Sequence, residues 1–591
     1  TNCILWANTA FGSDEIFNDT STPVVTYCDI TGGYPGAGNI DTDPLFVNPG
    51  AGDFHLGLAS PCIDTGNNTA ITWPDPKDYE GDPRIIDCYN DGTPVVDMGA
   101  DEATYSQPSG AVWVDDDWAG IALGADPDGA GPATVFGYDS FDVIQDAIDI
   151  LSSPGTVYVI AGTYYENIVL KNGIEIRGSA DHQCIIDGGA NSGPVVTVIN
   201  VDSTTALEGF TITNGLAAMG GGIFLGNSDL IMSHCTISNN SADLGGGLYA
   251  DDSAPTFIDC TFSGNSAGDH GGGICNNTST PTVTDCTFSN NDAFSGGGMY
   301  NHASIPEVTD CNFVDNTATN VGGGIHNNLS SPILTNCTFY NNVADYGGGI
   351  YNGSSSPNII HCIFNGNIAL LDGGGMHNFV ESNPIIIDSS FTGNTATSTG
   401  GGIYNYASDP IITYCIFEDN SAGERGGAMT NWGNSKSIVM NCIFQGNLTV
   451  FGGGIHNKES SPSIINCTFF DNDAANPGGG ICNWNTSLPV IKNCTFFGNS
   501  AVSGFTIACD SDDHLYPSTV QIINSILWDG VNEIWNNDSS TIDITYSDVQ
   551  GGYPGTGNID ADPLFVNPGA GDFHLGLASP CIDTGNNSVI T

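Results

Sequence analysis

Glycine triplets recur through the middle of this 591-residue chain at steps of 25 to 27 residues, and that period restricts the fold more than any other feature. They read GGGIF (220–224), GGGLY (245–249), GGGIC (271–275), GGGMY (296–300), GGGIH (322–326), GGGIY (347–351), GGGMH (373–377) and GGGIY (400–404). A degenerate RGGAM (425–429) follows, then GGGIH (452–456) and GGGIC (478–482). Between triplets runs a second element, P-x-φ-x-x-C-T-F-x-x-N, as in SPILTNCTFYNN (331–342) and SPSIINCTFFDN (461–472). Self-similarity at this period marks a solenoid. Each repeat carries β-branched and aromatic runs of three to five residues, separated by Gly, Asn, Asp and Ser-Pro, with no room for a helix. The pattern predicts an all-β parallel β-helix with three short strands and three corners per coil, each residue stacked on its counterpart at roughly 4.8 Å.

Stacking turns repeat positions into columns. Cys235, Cys260, Cys286, Cys311, Cys337, Cys362, Cys415, Cys442, Cys467 and Cys494 share one position, with Ser389 in the one gap, and a Phe lies two residues beyond most of them, from Phe262 to Phe496. Metal binding or disulfides are one reading of such a column; the single Ser and the Phe neighbours favour small buried hydrophobes. An apolar residue always stands three before the Cys, so alternation breaks between them, and Asp259, Asp285, Asn336, Asn466 and Asn493 can take left-handed geometry at that corner. Asn276, Asn301, Asn327, Asn352, Asn378, Asn405, Asn431, Asn457 and Asn483 read as an amide ladder at another corner. Tyr249, Cys275, Tyr300, His326, Tyr351, His377, Tyr404, Thr430, His456 and Cys482 form a column expected to point outward, with the tyrosines as glycan-contact candidates. Its histidines fall on alternate coils at best, roughly 9–10 Å apart, too far to share an ion.

The GGGI and F-x-x-N alternation resembles the GGA[I/L] and FxxN repeats of chlamydial polymorphic outer membrane proteins, and more broadly the pectate-lyase-like right-handed β-helix superfamily of bacterial surfaces. The resemblance covers about 205–505 and implies a right-handed β-helix; here a third Gly replaces Ala in most repeats. Upstream, residues 112–170 resemble the opening of many bacterial β-helix proteins. Phe141, Ile144, Ala147, Ile148 and Leu151 have helical spacing, and Asp139 or Ser140 can cap a short helix over the first coil.

The two ends of the chain repeat each other. Residues 32–68 and 551–587 differ only at Ala37/Thr556 and Thr42/Ala561, and NCILW (2–6) matches NSILW (524–528). The expected organisation is a closing segment of a preceding block (1–105), a linker (106–112), a block (113–550) with its helix near 140–151 and regular repeats over 205–505, and a second closing segment (551–591) repeating 32–72. Cys3 and Cys28 correspond to Ser525 and Ser547, so a stacked pair or a disulfide both fit; Cys62 and Cys88 form a second candidate disulfide.

Function is constrained mostly by what is missing. The net charge of −58 reflects a deficit of bases: Lys77, Arg84, Lys171, Arg177, Arg425, Lys436, Lys458 and Lys492 are all there are. Nucleic acid and anionic head groups need such counter-charges, so neither is an expected partner. No apolar run is long enough to span a bilayer. The bases form no column with Asp pairs, as a uronate lyase would need, and the repeat Asp residues scatter over corners rather than converge as in an inverting hydrolase. Asp41, Asp43, Asp115, Asp116, Asp117, Asp126, Asp128, Asp560 and Asp562 lie in Gly-rich loops that suit either calcium as a cofactor or plain Asx turns. The leading expectation is a non-enzymatic extracellular or cell-surface structural protein, in tandem copies or self-associating end to end. The alternatives are a surface adhesin that binds glycans and a carbohydrate-active enzyme.

Overall fold

In the computed structural model, which describes residues 1–8, 15–16, 21–57, 60–71, 77–78, 83–85, 94–102, 110–129, 131–179, 183–189 and 192–589, every repeat forms one coil. The coil at 325–349 serves for all. Ile325–Asn328, Ile333–Thr335 and Thr338–Tyr340 are strands, and a fourth, Val343–Tyr346, adds to the three that the sequence predicts. Each strand pairs in parallel with its counterpart one repeat on, as Ile325↔Ile350, Leu334↔Ile359 and Phe339↔Phe364 illustrate. One resulting sheet has fifteen strands, from Ile168–Val169 to Ile534–Asn536, and the added one has twelve. The architecture is an all-β right-handed parallel β-helix.

Single left-handed residues turn the corners. In this coil they are Leu329 (φ +53°), Asn336 (+54°), Asn341 (+53°) and Gly347 (+64°). Asp and Asn recur at the second of these corners because their short polar side chains tolerate that geometry best after glycine. The three glycines of a triplet answer different demands. Gly347 needs its positive φ; a Cβ on Gly348 would stand 2.5 Å from the Ile368 carbonyl oxygen, and one on Gly349 would stand 2.5 Å from that of Gly375. The triplet is the place where successive coils touch backbone to backbone.

Inside the solenoid the columns stack as ladders. Ten phenylalanines from Phe262 to Phe496 lie face to face, with centroids 4.5–5.0 Å apart and planes within 10°. The column cysteines are buried free thiols rather than disulfides. They act as weak hydrogen-bonding groups: Cys286 N–H donates to Cys311 Sγ (3.3 Å), as Cys362 N–H donates to Ser389 Oγ (3.0 Å). Serine therefore fills the gap without altering the pattern.

The asparagine column from Asn276 to Asn483 is a ladder, each Nδ2 donating to the next Oδ1 at 2.8–3.0 Å. It lies within the strand, not at a corner as expected, because Asn327 follows Ile325 by two and shares its inward face. A second ladder, formed by the Asn of F-x-x-N, runs from Asn240 to Asn499. Asn342 accepts from both N–H (3.1 Å) and Nδ2 (3.0 Å) of Asn316, and donates to Phe313 O (2.8 Å) and to Asn367 Oδ1 (3.0 Å).

These ladders belong to one of two compact units, Tyr165–Asn172 with Ala180–Thr591. The other comprises Thr1–Tyr164 with Gly173–Ser179. In it a seven-residue helix, Ile144–Ile150, buries Ile144, Ala147 and Ile148 and contacts strands Ala111–Val114, Ser140–Phe141 and Gly155–Val159. Its N-cap is Val143, with no side-chain cap, rather than Asp139 or Ser140; Asp139 instead accepts from the N–H groups of Thr134 (2.9 Å) and Val135 (2.7 Å).

Replacing Asn342 by Ala would remove the acceptor of Asn316 N–H and of one Asn316 Nδ2 hydrogen, a local cost of roughly 2–6 kcal/mol at about 1–3 kcal/mol per buried group. Hydrogen exchange should show amides of the flanking coils opening faster in N342A, whereas N341G, at a left-handed corner, should leave them nearly unchanged.

Candidate functional site

The glycine-triplet strand shows two residues per coil to the outside, its second and fourth. The second-position column was expected to be exposed, yet Tyr249, Tyr300 and Tyr404 retain only 6–8% of their surface, and Cys275, His377, Thr430, His456 and Cys482 are buried too. The added fourth strand is the reason. Its last residues stand against this column: His270 stacks on Tyr300 at 4.2 Å, and Tyr346 meets His377 edge-on at 5.5 Å. Of the glycan-contact candidates, Tyr351 and Tyr404 border an open pocket.

That pocket, about 400 Å³, is lined by Tyr351, His377 and Tyr404 of three successive coils, by Tyr346 and Asp372 from fourth strands, and by Phe379 and Tyr406. His377 retains 3% of its surface, and neither ring nitrogen has a hydrogen-bond partner. Burial pushes its pKa down to about 3, so the ring is neutral, and pushes the Tyr351 phenol up to about 12. A wider apolar hollow, about 570 Å³, lies in the first coils between Ser192–Pro194, Leu216–Met219 and Phe224.

The fourth-position column escaped the sequence reading. Phe379, Tyr406, Trp432, Lys458 and Trp484 are in register on five successive coils. Phe379 and Tyr406 stack at 5.5 Å, and Lys458 Nζ lies 4.5 Å over the Trp432 ring and 3.7 Å from the Asp512 carboxylate. Trp484 Nε1 donates to Asp512 at 3.0 Å. The rings are partly exposed, with Phe379 at 41%. The signal was present in MHNF, IYNY, MTNW, IHNK and ICNW: alternation that puts the second residue outside puts the fourth there as well.

The acidic loops are held by their own backbones. Asp41 accepts from Gly32 N–H, Asp43 from Leu45, Asp115 from Asp117, Asp116 from Thr163 and Asp126 from Gly129. Asp128 accepts from Gly131, Asp560 from Gly551 and Asp562 from Leu564, while Asp117 lies on the short turn Asp116–Trp118. Among the described residues no three His, Cys, Asp or Glu side chains converge as a metal site. Cys3 and Cys28 are separate thiols, each bonded to a carbonyl two residues before it, so they form no disulfide. Cys62 Sγ donates to Asp29 Oδ2 at 3.2 Å; Cys88 lies outside the described residues.

The family model described as a right-handed β-helix region matches residues 167–333 and 308–469. No curated protein matches. Among solved structures the chain is similar to a surface adhesin of Streptococcus pneumoniae at 12% identity, covering 74% of this chain and 92% of that one, with a TM-score of 0.27. It is also similar to tailspike protein 3 of bacteriophage CBA120 (12% identity, 77% and 64% covered, TM-score 0.27). A mannuronic-acid-specific polysaccharide lyase from human gut microbiota matches at 10% identity, with 63% and 81% covered and a TM-score of 0.24.

The buried histidine makes stability depend on pH. Below pH 6.5 the unfolded chain takes up a proton at His377 that the folded one refuses until about pH 3. Stability is thus lost as pH falls through that window, by about 1.4 kcal/mol per pH unit. Urea unfolding followed by fluorescence at pH 7 and pH 5 should show the wild type losing roughly 2 kcal/mol more than H377F.

Proposed function

The chain belongs to the right-handed β-helix family, and from that premise we propose that it is a non-catalytic extracellular surface protein whose aromatic row binds glycans. The observation that carries this reading is the in-register series Phe379, Tyr406, Trp432 and Trp484 beside the Tyr351–His377–Tyr404 pocket. Tyr and Trp combine a broad apolar face with a polar edge, which suits a sugar ring's apolar face and rim of hydroxyls. Repetition at the coil spacing suits a polymeric ligand better than a single small molecule. A net charge of −58 repels polyanions, which favours neutral or amino-bearing glycans over uronates, and Lys458 is the only cation in the row.

Support for a non-catalytic role comes from the carboxyl pair of buried Glu533 and half-buried Asp529. Both bond the Thr506 hydroxyl, Asp529 also accepts from Asn499, and Glu533 accepts from the N–H groups of Asp529 and Gly530. They are engaged with the chain's own groups rather than spaced around an open cleft. In affinity electrophoresis or on a glycan array, Y406A/W432A should weaken binding to a neutral polysaccharide at least tenfold. Absence of any bound glycan, or unchanged binding by the double variant, would overturn the reading.

A second reading, blocks joined in tandem or end to end into a fibre, draws on the two closing segments. Ile4–Leu5 pairs with Asp29–Ile30 as Ile526–Leu527 pairs with Asp548–Val549, and each segment carries the same hairpin, Phe46–Leu56 or Phe565–Leu575. Negative-stain microscopy should show particles aligned end to end; isolated single particles at every concentration would count against it.

A further inference from the structure

The pocket beside the aromatic row is built mainly of aromatic rings. Tyr346, Tyr351, His377, Phe379, Tyr404 and Tyr406 line it, and Asp372 supplies the one carboxylate among its described lining residues. His377 is the hub: its ring centroid lies 5.0 Å from Tyr351, 4.7 Å from Tyr404, 5.5 Å from Tyr346 and 6.1 Å from Phe379. The outer rings are ordered against one another, Tyr351 with Phe379 at 6.4 Å and Phe379 with Tyr406 at 5.5 Å. His377 retains 3% of its surface, and neither ring nitrogen has a partner within the chain.

The surroundings favour positive charge. Each ring face is the negative part of an aromatic quadrupole. Asp372 is anchored through a single oxygen: Oδ1 accepts from Thr399 N–H (3.2 Å) and from the Thr399 hydroxyl (2.7 Å). Burial and then the Asp372 charge push the Tyr404 phenol upward, against a weaker opposing pull from Arg425. That guanidinium is paired with Glu424 at 2.8 Å and lies 6.0 Å over the Phe451 ring. His377 is neutral, so it adds a ring face and no positive charge. No Lys or Arg stands among the described residues that line the pocket. Further along the row the chain completes the same combination from its own residues, with Lys458 Nζ 4.5 Å over Trp432 and 3.7 Å from the Asp512 carboxylate. The pocket repeats the rings and the carboxylate without the base.

We propose that this pocket of five aromatic side chains around His377 is a cage for a methylated ammonium group, of the kind that a choline head carries. A primary ammonium is compact, strongly hydrated and has three donors to satisfy. Burying it among rings with one carboxylate would leave donors unpartnered. Methylation removes those donors and makes the cation's surface apolar, so it packs on the rings while its charge meets their faces and Asp372. A volume of about 400 Å³ leaves room for the chain that carries the group. As a statement about a polymer this rests on the glycan reading: the bound glycan is one that bears methylated amines beside its neutral sugars.

The test titrates choline chloride into the full chain by calorimetry, with sodium chloride holding the ionic strength constant so that screening does not vary. One saturable site per chain is expected. The neutral isostere, in which a tert-butyl group replaces the trimethylammonium, should bind at least tenfold more weakly. Phe379→Leu, at a ring 41% exposed, keeps an apolar side chain but removes the ring face. It should weaken choline at least threefold and the isostere less than twofold. Asp372→Asn retains the acceptor for Thr399 and should also weaken choline at least threefold. Unchanged hydrogen exchange in the flanking coils shows that both variants keep the fold, and the isostere comparison needs no variant at all. No saturable choline binding up to tens of millimolar, equal binding of the isostere, or choline binding unchanged in both variants would each overturn the proposal. No glycan is present in this titration, so its failure leaves the row's binding of neutral polysaccharide standing, and a failure on the glycan array leaves the cage itself standing.

Discussion

Everything in the repeat unit depends on the requirement that a buried amide in one coil find its partner in the next. Asn342 satisfies four hydrogen bonds at once, two accepted from Asn316 and two donated to Phe313 and Asn367. A buried amide left without partners is costly, so a ladder is stable only if the same residue occurs at the same depth in every coil. That condition fixes the register. Once register is fixed, phenylalanine must stack on phenylalanine, and the triplet glycines must pass within contact distance of the next coil's carbonyls. The sequence period is thus a consequence of polar satisfaction, with apolar packing following in its track.

The outer face inherits this regularity but not its identity of residues. Nothing buried demands a given side chain at the second and fourth positions of the glycine-triplet strand, so they vary among Tyr, His, Cys and Thr, and among Phe, Tyr, Trp and Lys. Variation on a rigid lattice is how a solenoid produces a site: spacing comes from the backbone, chemistry from the substitutions. His377 shows the cost. With both ring nitrogens unpartnered and the ring held neutral by burial, it stays only because the surrounding aromatic column fixes its position.

How far the sequence could be read follows the same division. The Phe and Cys columns and the left-handed Asp259, Asp285 and Asn336 were legible because each follows from period and alternation alone. The ladder Asn327 was legible as a ladder but misplaced to a corner, although counting by two from Ile325 puts it inside the strand. The fourth strand was not legible. Segments such as Ser241–Leu244 lack β-branched residues and are strands because neighbouring coils pair with them, not through their own preference. That one omission made the tyrosine column look exposed.

The end of the second ladder shows how strict the polarity is. Amide to amide, each Asn receives from the one before it and gives to the one after it, so the last position of the ladder needs an acceptor and no amide donor. Asp529 fills it, accepting from Asn499 N–H at 2.9 Å and from Asn499 Nδ2 at 3.0 Å. Its other oxygen and Glu533 both lie against the single hydroxyl of Thr506. One hydroxyl hydrogen cannot serve two carboxylates, so the hydroxyl must donate to one and accept from the other, and the second must carry a proton. Burial and the neighbouring Glu533 charge push Asp529 in that direction, to about 8. A ladder of neutral amides thereby closes on a carboxyl pair that holds a proton near neutral pH. The repeat gives way to the closing segment where the pattern of donors runs out.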